Sequence, residues 1–279
     1  MMHQSNKSEW QKQPVKIGDL LVAESKLTAE QAIEAAAFGR ERGLLFSEAA
    51  ILLGMVSVEQ LDDLLARNRP IMPPAGSATV TDDLFALKAP LSPRTADLRR
   101  VAQTLAMQWF MGDDKRSALT VISADRHEGR TAVAANLACI FAKAGVPTLL
   151  IEADLHHPSI QTKFGLAPGD ASPSGHYAVR GVENLSVIPA TALLDLHYDR
   201  FMQFALQGLI EANSVQFKAI FVDTAAAETS NDYQMAALAA GGAMVVTREG
   251  ATRARRSARM LDRCDDAGIP VVGGVMLKS

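Results

Sequence analysis

The chain is short of several things, and each shortage excludes something. Aromatics make up only 5% of its 279 residues. Its three tyrosines, Tyr177, Tyr198 and Tyr233, are all internal. Cysteine is limited to Cys139 and Cys264, which show no metal or redox spacing. Cys139 lies in an apolar helical pattern and reads as a small core residue. Free thiols suit a reducing compartment. Neither sign of charge dominates: 28 Lys and Arg against 31 Asp and Glu leave a net charge of −3. With a pI near 6.1, that balance argues against a general nucleic-acid binder. No apolar run approaches the roughly 18 residues of a membrane-spanning helix. The opening stretch, MMHQSNKSEWQKQPVK, lacks the apolar centre of a signal peptide. A cytoplasmic protein is expected, with any membrane role running through a partner.

What is present suffices for one large α/β domain and a small one. Residues 1–15 are polar and are expected to be disordered. From 16 to 69 the pattern is helical and repeats weakly: IGDLLVAESKLTAEQAIEAA, starting at Ile17, aligns with FSEAAILLGMVSVEQLDDLL, starting at Phe46. Each half holds a capping box, Thr28-x-x-Gln31 and Ser57-x-x-Gln60, in which hydroxyl and amide each satisfy a backbone N–H of a helix start. Gly54 suits a left-handed helix end. Residues 70–92, rich in proline and small residues, read as a linker. The third region, 93–279, opens with a helix over 93–111 and continues as an alternation. Strands are expected at 118–123, 146–152, 185–188, 218–223, 242–247 and 270–276. Helices are expected at 129–144, 199–214, 231–240 and 252–267. That alternation predicts a parallel sheet with helices on both faces.

Four chemistry-bearing pieces fall at the carboxyl ends of predicted strands, where open α/β sheets bind ligands. The first, ISADRHEGRTAVAANLACIFAKAG, has the strand–loop–helix layout of a phosphate-cradling P-loop. It lacks two of that loop's usual residues: Ala124 stands in the first glycine position and Arg130 in the lysine position. Ala124, Glu128, Gly129, Arg130, Thr131 and Ala132 are the candidate nucleotide-binding residues, with backbone N–H groups aimed at phosphate. Thr131 is the candidate Mg²⁺ ligand of the loop. The second piece ends a buried strand in acid-x-acid, Glu152 and Asp154, two carboxylates placed for a Mg²⁺ shell or for handling a hydroxyl nucleophile. Arg130, Glu152 and Asp154 are the catalytic candidates. The third, Phe221-Val222-Asp223-Thr224, has the Walker-B pattern, so Thr131, Asp154 and Asp223 form the candidate Mg²⁺ set. Asp232 lies where a loop carboxylate could support it. The fourth places Arg248 at a strand end, then Arg253, Arg256, Arg259 and Arg263 along the next helix. That stripe reads as a solvated face balanced by Asp262, Asp265 and Asp266, or as a grip for an acidic partner. His127, His156 and His157 flank the loop, but their spacing does not suit Zn²⁺.

These motifs, in this order, resemble the MinD/ParA-like branch of P-loop proteins, and within it the bacterial tyrosine autokinases that set exopolysaccharide chain length. The resemblance is carried by Ser123, Glu128, Gly129, Asn136-Leu137-Ala138, Leu149-Leu150-Ile151, Ala153-Asp154-Leu155, Pro158, Phe164-Gly165-Leu166 and Asp223-Thr224. The helix bearing Trp109-Phe110 looks like that of the EpsG-type kinases. Those also carry a secretion-ATPase-like N-terminal module and can have Arg at the lysine position. The helical module of this chain resembles the N-terminal module of type II secretion and pilus ATPases, in particular its cyclic-di-GMP-binding variety, at Leu45, Phe46, Ser47, Ala50, Gly54, Leu61, Leu65 and Asn68. The Arg and first Gly that would contact the dinucleotide are missing, which favours docking or scaffolding.

The resemblance implies a P-loop NTPase fold, ATP and Mg²⁺ as cofactors, and a membrane-embedded polysaccharide co-polymerase as partner. It also implies homo-oligomerisation through the helix at 94–110. The departures cut against activity. Glu152 replaces the first Asp of Asp-x-Asp, and Ala225 follows Asp223-Thr224 in place of proline. Of the oligomerising motif only Arg99 remains, between Ala96 and Ala102. Leu277 stands where an Asn often helps hold the base, and no tyrosine cluster ends the sequence. Each well-placed electrostatic contact contributes about 10²–10³ in rate, so a weak kinase or a pseudokinase is expected. Two alternatives remain: a MinD/ParA-like ATPase that positions secretion or pilus machinery, against which Asp125 stands at that branch's signature-lysine position, and a non-catalytic scaffold or regulator.

Overall fold

A computed structural model describes residues 21–24, 26–42, 46–57, 60, 80–111, 116–167, 171–172, 175–193 and 202–278. The expected disorder of 1–15 and the positions Leu45, Leu61, Leu65 and Asn68 lie outside these residues. The chain divides into two compact units, residues 1–72 and 73–279.

In the first unit, helices α1 (Ala29–Arg42) and α2 (Phe46–Leu52) close over Leu21, Leu27, Ala35, Ala49, Ala50 and Val56. Both capping boxes form. The Thr28 N–H donates to Gln31 Oε1 at 2.9 Å, and the Gln31 N–H donates to Thr28 Oγ1 at 3.2 Å. Ser57 and Gln60 repeat the exchange at 3.0 and 3.2 Å. Two otherwise orphaned helix-start donors are thereby satisfied at each site. Gly54 sits at φ +68 after α2, the left-handed turn expected of it.

The second unit is built on a seven-stranded sheet in the order β3-β4-β2-β5-β1-β6-β7. Its strands are β1 (Ala118–Ile122), β2 (Thr148–Glu152), β3 (Tyr177–Ala178), β4 (Leu185–Ile188), β5 (Ala219–Asp223), β6 (Ala243–Arg248) and β7 (Val271–Leu277). All pairings are parallel except the short edge strand β3, which runs antiparallel to β4. Two residues leave too little alternation to be read, and β3 was not expected. Strand alternation divides the core. Leu119, Val121, Leu150 and Phe221 face one side; Ala118, Ile122, Leu149, Ile151, Ile220 and Val222 face the other. The first side is covered by α3 (Phe85–Lys88), α4 (Pro93–Leu105) and α5 (Arg130–Lys143). After α6 (Ile160–Lys163) and α7 (Ala190–Leu193), the second side takes α8 (Met202–Asn213), α9 (Asp232–Ala240) and α10 (Ala254–Asp266).

The linker reading of 70–92 is corrected over its described part. Leu84, Phe85 and Ala86 are buried in the main core. Asn136 on α5 holds the segment, accepting from the Ala86 N–H at 2.7 Å and donating to the Asp83 carbonyl at 2.8 Å. Proline-rich composition marks irregular backbone, not lack of packing, and a side chain 50 residues on supplies the missing partner. The helix expected over 93–111 is α4 followed by a wider π turn, Ala106–Phe110, closed by the Met111 N–H on the Ala106 carbonyl at 2.8 Å. The extra residue aims Trp109 inward, where its indole N–H donates to the Ala118 carbonyl at 2.7 Å. Phe110 completes an edge-to-face triangle with Phe141 and Phe221, with centroids 5.2–5.4 Å apart.

Candidate nucleotide site

The loop between β1 and α5 turns at His127 (φ +63) and Gly129 (φ +91), both left-handed. Gly129 is required twice over. A side chain is strained at that φ, and a Cβ there would lie 2.5 Å from Leu277 Cδ1 and 3.4 Å from an Arg248 guanidinium nitrogen. The end of β7 therefore rests directly on the loop. Ala124 and Glu128 are buried. Glu128 braces the loop. One carboxylate oxygen accepts the Asp125 N–H at 2.9 Å and the other accepts the Thr252 hydroxyl, which itself accepts the Arg248 N–H at 2.7 Å. With both oxygens so engaged, the Glu128 side chain is a support of the loop. Asp125 and Glu228 share the Arg256 guanidinium, and Glu228 also accepts the Arg126 N–H at 2.8 Å. Thus the β5–α9 loop and α10 together fix the P-loop from outside.

Arg130, at the first position of α5, is buried and points to the sheet edge. Its guanidinium donates to Ser123 Oγ at 2.8 Å, to Asp154 Oδ2 at 3.1 Å and to Asp223 Oδ1 at 3.3 Å. Lateral pairing of β2, β5 and β1 brings these groups together. Asp154 is held from behind by the His156 and His157 N–H groups, at 3.2 and 3.0 Å on Oδ1. Thr131 lies beside Asp223. Burial pushes the Asp223 carboxyl up to about 6, although the Arg130 charge works in the opposite direction. Asp223 Oδ2 is buried without a partner. Arg130, Thr131, Asp154 and Asp223 therefore meet at one place, as the strand-end motifs predict, and Arg130, a cation able to pair with phosphate, is bonded to side chains of the protein instead. The guanidinium has turned onto the two carboxylates expected to hold Mg²⁺. Two buried acids without a counter-charge would be expensive, and a planar five-donor cation meets both at once.

Glu152 does not join this cluster. It is fully buried, and its oxygens accept the Ser159 N–H, the Ile160 N–H at 2.7 Å and the Ala190 N–H at 3.0 Å. The extra methylene relative to aspartate lets it reach these chain starts and tie the sheet edge to α6 and α7. Its catalytic assignment is replaced by this structural one. Burial pushes its carboxyl up to about 7, outweighing the three N–H bonds that favour the anion, and the neighbouring Asp223 adds to the rise. Asp232 pairs with His156 at 3.2 Å, which raises the imidazole's pKa. Ala132, in the first turn of α5, is half-buried. Among the described residues no set of three His, Cys, Asp or Glu could hold a metal ion. Sequence reading singled out Arg248 and Arg256 in the fourth piece but missed Thr252 and Glu228, which lie in the loops before α10 and before α9 and carry no motif.

The loop leads through Gly129 into the N-terminus of α5, where no side chain caps the helix, a setting that suits a phosphate. A divalent ion there would have to displace Arg130, which holds Asp154 Oδ2 and Asp223 Oδ1; of the four carboxylate oxygens Asp223 Oδ2, beside Thr131, is the one without a partner.

No protein-family model matches the chain. The succinoglycan biosynthesis transport protein ExoP of Rhizobium meliloti is 29% identical over 172 residues, 57% of this chain and 22% of that protein. The tyrosine-protein kinase YwqD of Bacillus subtilis is 32% identical over 84 residues, 30% of this chain and 35% of that one. The chain thus spans about a third or less of the curated relatives it matches. Among solved structures, the kinase domain of the Escherichia coli tyrosine kinase ETK superposes with a TM-score of 0.62 at 18% identity. It covers 77% of this chain and 86% of that one. The chimerical protein CapA2B2 gives 0.59 at 19%, covering 80% and 98%. The P-loop unit is related to the bacterial tyrosine kinase domains and has their fold. Arg130 stands where the P-loop pattern has lysine, and its guanidinium bonds Ser123, Asp154 and Asp223. Among the described residues no helix is long and apolar enough to cross a membrane.

Proposed function

We propose that the chain is a tyrosine-kinase-like component of exopolysaccharide chain-length control. It works at the cytoplasmic side of the membrane through a membrane-embedded co-polymerase, and its nucleotide site is weak or inactive in catalysis. The reading rests on one observation: loop 123–131, Asp154 and Asp223 converge at the carboxyl edge of the sheet on the single side chain of Arg130. The names of the two relatives, a polysaccharide transport protein and a tyrosine kinase, support the same pathway. ATP is the cofactor this loop suits, held by backbone N–H groups of residues 129–132 and the α5 N-terminus. Arg130 makes Mg²⁺ dispensable or unwelcome, so phosphoryl transfer is slow or absent. The three-point Arg130 clamp also favours the second reading, a scaffold without turnover. The helical unit then docks a partner.

Calorimetric titration with ATP, with and without Mg²⁺, on wild type and Arg130→Ala tests this. Wild type is expected to bind ATP equally in EDTA and in Mg²⁺, and to yield no phosphotyrosine after incubation. Robust autophosphorylation would overturn the weak-site reading. Absence of ATP binding by either protein would leave the scaffold alone.

A further inference from the structure

Beside the P-loop, on the α9–α10 side of the sheet, an open pocket of about 330 Å³ is lined by Arg256, Arg259, Met260 and Arg263 of α10, by Tyr233 and Glu228, and by Ala124 of the loop itself. The arginine spacing, i, i+3 and i+7, puts all three on one helical face. The solvated-face reading expected Asp262, Asp265 and Asp266 to balance them. These aspartates are exposed, and among the described residues none pairs with the stripe. Arg256 instead serves Asp125 and Glu228. Arg259 and Arg263 have no carboxylate partner among the described residues; Arg263 reaches the Asn231 amide oxygen, at 3.4 Å, and the Tyr233 hydroxyl. Three guanidiniums therefore face two carboxylates.

Two further groups point the same way. Tyr233 is fully buried; its hydroxyl oxygen faces the Arg263 guanidinium, which can only donate to it, so the O–H donor has no acceptor. Such an orphan donor in a cationic pocket has a cost that an anion would remove. Tyr233 also lies in the first turn of α9, whose residue before the helix, Asn231, gives no side-chain cap. The helix dipole adds positive potential there, offset by Asp232 in the same turn, which is paired with His156.

We propose that this pocket is a second anion site, separate from the P-loop, that takes a phosphate-class oxyanion, either free or as a small ester. Arg259 and Arg263 supply the charge, the Tyr233 hydroxyl donates one hydrogen bond, and Met260 gives an apolar floor for an ester group. Because Arg256 borders the pocket while holding Asp125 and Glu228, an occupant sits one side chain from the P-loop.

The probes are inorganic phosphate and phenyl phosphate, titrated calorimetrically and by chemical-shift mapping on the full chain saturated with ADP to fill the P-loop. Millimolar binding that perturbs α9 and α10 is expected. Arg259→Gln/Arg263→Gln should weaken it at least about tenfold, and Tyr233→Phe, which spares the packing, about two- to fivefold. Arg253→Gln/Arg255→Gln, which removes equal charge outside the pocket, should leave it within about twofold. Binding of phosphate but not phenyl phosphate identifies the free ion as occupant; binding of both admits esters. Equal losses in the two double variants, no effect of Tyr233→Phe, or no wild-type binding would each overturn the site. If the pocket double variant fails to fold, Tyr233→Phe and the shift map decide. Failure here leaves the proposed function untouched; if ADP does not fill the P-loop, the shift map over α9 and α10 and the loss in Arg259→Gln/Arg263→Gln still separate this site from the loop.

Discussion

Replacing Arg130 by alanine should convert a metal-indifferent protein into a metal-dependent one. The guanidinium is buried and bonded to both Asp154 and Asp223. Removing one partner of a buried ion pair costs about 3–5 kcal/mol, because it strands the other charge. Here two carboxylates are stranded, and Asp223 Oδ2 already lacks a partner. Protonation relieves part of the cost near neutral pH, since burial has pushed the Asp223 carboxyl up to about 6. For a domain of this size each kcal/mol corresponds to roughly 2–4 °C in melting temperature, so a loss of roughly 6–20 °C is expected in EDTA, toward the lower end where protonation relieves the cost. The vacated space between the two acids is where Mg²⁺ would bind. At a hundred times its dissociation constant, Mg²⁺ returns about 2.7 kcal/mol, or more than half the loss. Differential scanning fluorimetry of wild type and Arg130→Ala, in EDTA and in millimolar MgCl₂, reads both effects. Wild type should not shift with Mg²⁺. An equal Mg²⁺ shift in both proteins, or an Arg130→Ala variant as stable as wild type in EDTA, would refute the idea that the arginine replaces the ion.

The remaining predictions concern the frame around that site. Glu152 and Asp223 both have folded-state pKa values above their ordinary ones, about 7 and about 6. Their stabilising protonation is complete below about pH 4 and is lost as pH rises through 6 to 7. Glu152→Gln should flatten that decline relative to wild type in urea melts from pH 5 to 8, while costing about 1–3 kcal/mol because its NH₂ must face a backbone N–H. A parallel slope in the two proteins would count against a protonated Glu152. Gly129→Ala should cost about 1–3 kcal/mol from its φ and the Leu277 contact. Adding Leu277→Ala should recover the contact's share but not the backbone's, as read by denaturant midpoints. Asn136→Ala leaves the Ala86 N–H without its partner and should cost about 1–3 kcal/mol. It should also speed proteolysis within 80–92, which a fold-neutral asparagine would not do.

Legibility followed the range of the interaction. Periodicity and strand-end residues depend on near neighbours, so β1, β2, β4 to β7, both capping boxes and the sheet with helices on its two faces were all readable. The convergence of Arg130, Asp154 and Asp223 was readable too, because parallel strands align their carboxyl ends. What failed was direction at close quarters. Glu152 and Asp154 sit two apart and were read as a pair. One extra methylene and three backbone donors at Ser159, Ile160 and Ala190 turn the first into a tie for the sheet edge. The Arg stripe was set against the aspartates of its own helix, while its real partners, Asp125 and Glu228, lie 131 and 28 residues away.

The same consideration bears on the substitution at the lysine position. Read as sequence, Arg130 is a conservative exchange of one cation for another. In the folded site it is a change of role. A lysine's flexible point charge follows a phosphate, whereas a planar fork is best satisfied by two fixed carboxylates, and Ser123, Asp154 and Asp223 supply that geometry before any ligand arrives. Nucleotide must then compete with an internal partner already in place, and its affinity is reduced by the fraction of molecules in which Arg130 has let go. Arg130→Lys separates the two accounts. If the clamp limits binding, the lysine variant should bind ATP more tightly than wild type and acquire Mg²⁺ dependence in calorimetry. If charge alone matters, the two proteins should be indistinguishable.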